Sequence, residues 1–301
     1  MRFSPSLLAI AMLMAPTAIL RADITHPAAQ AVVGAYSRML TINPNDADAL
    51  LGRALEYYKH GENTMAMTDV TSARAIIKDS DKARYAKAMK LGADIDMRLG
   101  NYAQAYTQYE SAIKADPSLA DGISSSADFL VARACHNRLA GDNSAAMTDI
   151  LDAIAAQPDN NAATNELTLL SQADFAGVTQ TINSLIDSGN NVATNTDLLG
   201  RVMMANYRFA DAEAIYQNII DRNLINSHAM FARLAECQLA QCKLIEAGIN
   251  IDLGMSKDGG GITDNFILKS RIERARGNRS EAIRFARYAA NQSPDNTDAR
   301  R

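Results

Sequence analysis

One spacing recurs along the chain: a small residue, an apolar residue four later, and a proline eight beyond that. It reads Val32, Tyr36, Pro44; Ala105, Tyr109, Pro117; Ala146, Ile150, Pro158; and Ala282, Ala286, Pro294. Four of the five prolines after residue 22 fall at this phase. A step of four places two side chains on one helix face, and a proline ends a helix because it has no N–H to donate. Copies without the proline fill the gaps: Ala66 with Val70, Val178 with Ile182, Ala212 with Tyr216, and Ala247 with Ile251. The small residues 66, 105, 146, 178, 212, 247 and 282 stand 39, 41, 32, 34, 35 and 35 positions apart. A period of this length means stacked supersecondary units rather than one globular core. The two longest spacings require insertions, placed near 79–84 and 119–126.

Within the better copies a second pattern marks a turn between two helices. It is Leu-Gly-Asn-Tyr at 99–102, Ala-Gly-Asp-Asn at 140–143 and Arg-Gly-Asn-Arg at 276–279. Glycine can take the left-handed conformation that ends one helix. The Asn or Asp beside it can cap the next. The segments Asn43-Pro44-Asn45-Asp46 and Gln157-Pro158-Asp159-Asn160 combine a stop with a cap for the helix that follows. At Leu199-Gly200 the missing side chain allows close approach of a neighbouring helix.

These patterns together resemble the tetratricopeptide repeat, a unit of about 34 residues of helix, turn, helix. The resemblance covers 28–297. It is clearest at 86–119 and 263–296, intermediate at 47–80, 127–158 and 193–226, and weakest at 159–192 and 228–254, which have neither the glycine turn nor the final proline. The first copy, 28–46, has only its second helix, at about 28–42. The resemblance implies an all-α, right-handed superhelical solenoid of helix-turn-helix repeats over 23–301. In such a stack no repeat buries its apolar face alone.

Residues 1–22 read differently. Arg2 precedes an uncharged apolar run at 7–20 that Pro16 interrupts, and Leu20-Arg21-Ala22 supplies a small residue before Asp23. The run is short for a membrane span and has the form of a cleavable signal peptide, with a retained membrane anchor as the alternative. No cysteine follows it to carry a lipid. Export to the periplasm or cell envelope is the expectation, with no stable membrane insertion after cleavage. The whole chain is mildly acidic, with 30 basic and 34 acidic side chains, and more so without residues 1–22, which hold Arg2 and Arg21 and no acid. That balance, without a basic cluster to override it, argues against nucleic acid as a partner.

No catalytic template is present. His-Glu-x-x-His, Gly-x-Ser-x-Gly and a phosphate loop are all missing, and His26, His60, His136 and His228 are scattered. Asp258-Gly-Gly-Gly-Ile-Thr-Asp264 lacks the alternating acids of a calcium loop and reads as a flexible turn. Cys135, Cys237 and Cys242 are too few and too unevenly spaced for a disulfide framework and read as small buried residues. The chain is therefore expected to be no enzyme and to hold no cofactor or metal.

The resemblance also implies that positions 2, 5, 9, 12 and 13 of each first helix face a concave groove. These are Leu51, Leu55, Tyr58 and Lys59; Lys87, Lys90, Asp94, Met97 and Arg98; Asp128, Cys135 and Arg138; Asn160, Leu167 and Leu170; Asp197, Arg201 and Met204; Glu236; and Asp264, Arg271 and Arg274. The candidate partner-binding set is Tyr58, Lys87, Lys90, Asp94, Arg98, Arg138, Arg201, Arg271 and Arg274. Lys87, Lys90 and Arg98 gather three like charges in one helix. A clamp for a partner's terminal carboxylate is not matched, since Lys90 is followed four later by Asp94, Val131 by Cys135, and Asp197 by Arg201. The expected function is a non-catalytic protein-interaction scaffold or assembly adaptor of the cell envelope. The alternative is an envelope receptor for a peptide or other small ligand, although Tyr58 alone offers an aromatic ring for sugar stacking.

Overall fold

The computed structural model describes residues 27–77, 81–158 and 160–293; the expected signal segment and Pro294 lie outside them. The described residues form sixteen α-helices and no strand. In order these are α1 (Pro27–Ile42), α2 (Ala47–Lys59), α3 (Asn63–Ile76), α4 (Lys82–Leu99), α5 (Tyr102–Ala115), α6 (Ala120–Ser124), α7 (Ala127–Ala140) and α8 (Asn143–Ala156). They continue with α9 (Asn161–Ala173), α10 (Phe175–Asp187), α11 (Val192–Ala205), α12 (Phe209–Asp221), α13 (His228–Ala240), α14 (Leu244–Met255), α15 (Thr263–Ala275) and α16 (Arg279–Gln292). The chain divides into two compact units, one ending at His136 and one beginning at Asn137.

In each unit the helices pack in pairs, a first helix A against a second helix B. Ala66 and Ala105 in the first unit, and Ala146, Val178, Ala212, Ala247 and Ala282 in the second, are all buried. Their apolar partners Val70 and Tyr109, then Ile150, Ile182, Tyr216 and Ile251, are buried with them. Each such large side chain contributes about 1.5–3 kcal/mol through burial. The small residue is there because a B-helix crosses closely, and Gly200 shows how closely. A Cβ on Gly200 would stand 2.6 Å from Cζ of Tyr216 on the paired helix.

The A-to-B turns share one closure. Gly100, Gly141 and Gly277 are left-handed, and the next residue's N–H returns to a carbonyl five back: Asn101 to Asp96, Asp142 to Asn137, Asn278 to Glu273. The copies without glycine make the same turn with Tyr207 (φ 59°) and Cys242 (φ 59°), closed by Arg208 to Met203 and Lys243 to Gln238. Cys242 is consequently exposed, not buried as expected, whereas Cys135 and Cys237 are interior. The turn after α9 shrinks to Asp174, whose carboxylate accepts from Gly177 N at 2.8 Å.

The capping expectation divides. Asp142 caps α8 through Ala145 N, and Asp46 and Asn160 cap α2 and α9. Asn101 and Asn278 turn backwards instead, donating to the Asp96 and Glu273 carboxylates at 3.0 and 2.6 Å. A buried acid at the end of helix A outcompetes the free backbone groups for them. Of the two insertions, the later becomes a 3₁₀ turn (Pro117–Leu119) and α6, pinned by buried Ile123. The earlier falls where α4 starts, four residues ahead of Ala86, and 78–80 lie outside the described residues.

Candidate functional site

The A-helices α2 and α4, α9 and α11, and α13 and α15 touch one another directly, so each unit has a wall made of A-helices. In the first unit this wall gathers Tyr58, Lys90, Asp94 and Arg98. The Arg98 guanidinium lies 3.5 Å from the Tyr58 ring centre and donates to the Tyr58 carbonyl, joining α4 to α2. Lys90 Nζ is 2.8 Å from Asp94 Oδ2, and the Tyr109 hydroxyl donates to Asp94 Oδ1 at 2.8 Å. Burial and the Asp94 charge push the Tyr109 phenol far above its ordinary pKa, so it remains a donor. Lys87, Lys90 and Arg98 of α4 are thus not a loose repelling cluster: Lys90 and Arg98 are engaged. Lys87 is exposed with no partner among the described residues.

Asp128 on α7 completes this wall. Solvent reaches it, yet surrounding protein strips part of its hydration. That loss, followed by the Asp94 charge, raises its carboxyl pKa, while Lys90 and Arg98 pull it down. Burial, with Asp94 next, also raises the Tyr58 phenol against the opposing pull of Arg98.

In the second unit the wall charges form rungs between A-helices. Arg138 Nε meets Glu166 Oε2 at 2.8 Å, and Arg201 bonds Asp197 Oδ2 at 3.0 Å and reaches Thr164 Oγ1 at 3.3 Å. Asp197 Oδ1 also takes Arg233. Arg271 lies 3.7 Å from Glu236, and Arg274 is exposed with no partner among the described residues. Arg233, Glu236, Asp264 and Arg271 line an open pocket of about 330 Å³. The nine candidates therefore belong to two separate sets, one in each unit.

Some assigned groove positions are interior. Met97, Cys135, Leu167 and Leu170 are buried, and Asn160 is a buried cap. Because α9 turns at Asp174 alone, its assigned phase fails, and Glu166 takes the wall position in place of the leucines. Glu166 and Arg233 were not singled out by the periodicity. Only their status as charged residues one helical turn from assigned positions marks them.

Among the described residues no group of three or more His, Cys, Asp or Glu could hold a metal ion. No described helix is long and apolar enough to cross a membrane.

No family model matches the chain. A curated relative, the DnaJ homolog subfamily C member 7 homolog of Schizosaccharomyces pombe, is 34% identical over 89 residues. The match covers 26% of this chain and only 18% of that protein. Among solved structures, a tetratricopeptide repeat protein from Parabacteroides merdae is similar with a TM-score of 0.50 at 15% identity, over 84% of this chain and 96% of that one. Yeast Tom70 is similar with a TM-score of 0.52 at 14% identity, over 90% of this chain and 56% of its own. At such identities the likeness is one of fold.

Proposed function

We propose, for a chain that carries the tetratricopeptide-repeat fold, a non-catalytic role as a scaffold or assembly adaptor that binds protein partners along the A-helix walls of its two units. The observation that carries this reading is a division of labour among the wall charges. Most of them are engaged within the protein, and Arg138 with Glu166, Asp197 with Arg233 and Arg201 with Thr164 hold neighbouring A-helices together. Lys87 and Arg274 are exposed without partners among the described residues, so binding a ligand there breaks no internal contact.

Export to the cell envelope belongs to the same proposal and is supported by the apolar run at 7–20 with its small residue at Ala22. Fractionation with mass analysis of the mature N-terminus tests it. An N-terminus at Asp23 is expected, and an intact leader in the mature protein refutes cleavage.

For the binding role, full-length protein is crosslinked in its native cells and its partners captured, in parallel with Lys87→Glu and Arg274→Glu variants. A small set of partners that is depleted by either reversal supports the wall. An unchanged set, or none, overturns it. The pocket at Arg233, Glu236, Asp264 and Arg271 favours a second reading, a receptor for a small polar ligand or peptide. A rise in melting temperature with a small molecule that is lost on Arg271→Ala would select it.

A further inference from the structure

The last helix pair is locally basic. With the turn between them, α15 and α16 (263–292) hold seven Lys and Arg against three Asp and Glu, in a chain that is acidic as a whole. The composition of the whole chain averages this concentration of arginine away. Arg276 and Arg284 are paired with Glu273 and Glu281. Arg279 and Arg287 are exposed and have no partner among the described residues. Arg279 moreover opens α16, where the helix dipole already presents positive charge, so an anion nearby is favoured.

Toward the other end of α16, next in sequence to Arg287, lies an apolar recess of about 340 Å³ lined by Phe266, Tyr288, Asn291 and Gln292. It is formed in advance. Gln292 donates to the Gly261 carbonyl at 2.8 Å and accepts from Thr263 at 3.2 Å, which fixes one wall. Phe266 packs against Phe285 and Tyr288 at ring separations of 6.3 and 5.7 Å. Tyr288 is 46% exposed. Arg287 stands four residues before Asn291 and so shares its helix face, at the rim of the recess.

An apolar recess of side-chain size, with a guanidinium at its edge that no described residue pairs, matches one ligand chemistry. We propose that α15 and α16 form a second docking surface for an acidic peptide segment bearing an aromatic or long aliphatic side chain. That side chain enters between Phe266 and Tyr288, and a neighbouring carboxylate pairs with Arg287. The paired geometry of guanidinium and carboxylate gives direction as well as attraction. A lipid surface fits less well, because the recess is a single pocket rather than a broad apolar face.

A random peptide library displayed on phage is panned against the full-length protein, and selected peptides are titrated against wild type, Arg287→Glu and Tyr288→Ser. Both substitutions are at exposed positions, and unchanged circular dichroism checks that each variant folds. Peptides combining acidic residues with an apolar one are expected, each losing about tenfold or more in affinity in both variants. Retained affinity in either variant, or selection of no such peptide, overturns the proposal. Peptides that ignore these variants but are lost with Lys87→Glu or Arg274→Glu sink this surface while leaving the A-helix wall intact. Tighter binding to phosphatidylserine-containing vesicles than to any selected peptide also overturns it.

Discussion

At the scale of single residues, the degenerate turns show what conformation demands of chemistry. A left-handed backbone favours glycine because other side chains crowd the following carbonyl, at about 1–2 kcal/mol. Tyr207 and Cys242 tolerate that cost in turns that glycine would make freely. The consequence for the thiols is direct. Cys242 projects from its turn into solvent, whereas Cys237 is enclosed and its thiol is pushed up to about 12 by burial and then by the Glu236 and Glu213 charges. Thiolate is the reactive form, so one fast thiol is expected in the native protein. Titration with a thiol reagent at neutral pH should give one rapid equivalent, removed by Cys242→Ser, with Cys135 and Cys237 reacting only as the protein opens. Three equally fast equivalents would contradict the packing of α7 and α13. Periodicity could not separate these cysteines, because a cysteine just past a helix end lies outside the pattern that periodicity measures.

At the scale of the helix pair, what was legible was the phase of the small residue. Ala105 and Ala146 are closed off because a B-helix meets its neighbours there, and a Cβ is all that fits. Ala105→Leu should cost about 1–3 kcal/mol through overpacking, read as a lower denaturant midpoint. An unchanged midpoint would show that α5 does not pack as described. Less legible were the turn of α9 and the reversed asparagines, since both depend on a side chain finding a partner rather than on spacing. Glu273 illustrates such a partner. Burial pushes its pKa up, but hydrogen bonds from Asn278 and Lys269, with the charges of Lys269 and Arg276, outweigh this and hold it below the ordinary 4.5. A folded pKa below the unfolded one means stabilisation that is full above about pH 4.5 and lost as pH falls through the lower folded value. Asp128, shifted upward, acts in the opposite sense, and its protonation relieves rather than destabilises. Denaturant midpoints should therefore fall on acidification, and less steeply in Glu273→Gln. Equal slopes would remove Glu273 from the account.

At the scale of the whole molecule, the wall was legible as a set of candidate positions but its pairing was not. Arg138 meets Glu166 and Asp197 meets Arg233 across adjacent repeats, contacts of 28 and 36 residues' separation that stacking alone creates. Read as isolated side chains they look like ligand-binding charges; packed, they are rungs. The residues left free by that pairing carry the functional claim, and it can be examined where it stands. A photo-crosslinking amino acid is placed at Lys87 or Arg274 on the A-helix walls, and at exposed Glu110 on the B-helix α5, in protein expressed in its native cells. A discrete crosslinked partner is expected from at least one wall position and none from Glu110. The same partner captured with equal yield at Glu110, or no adduct from either wall position, would contradict the claim.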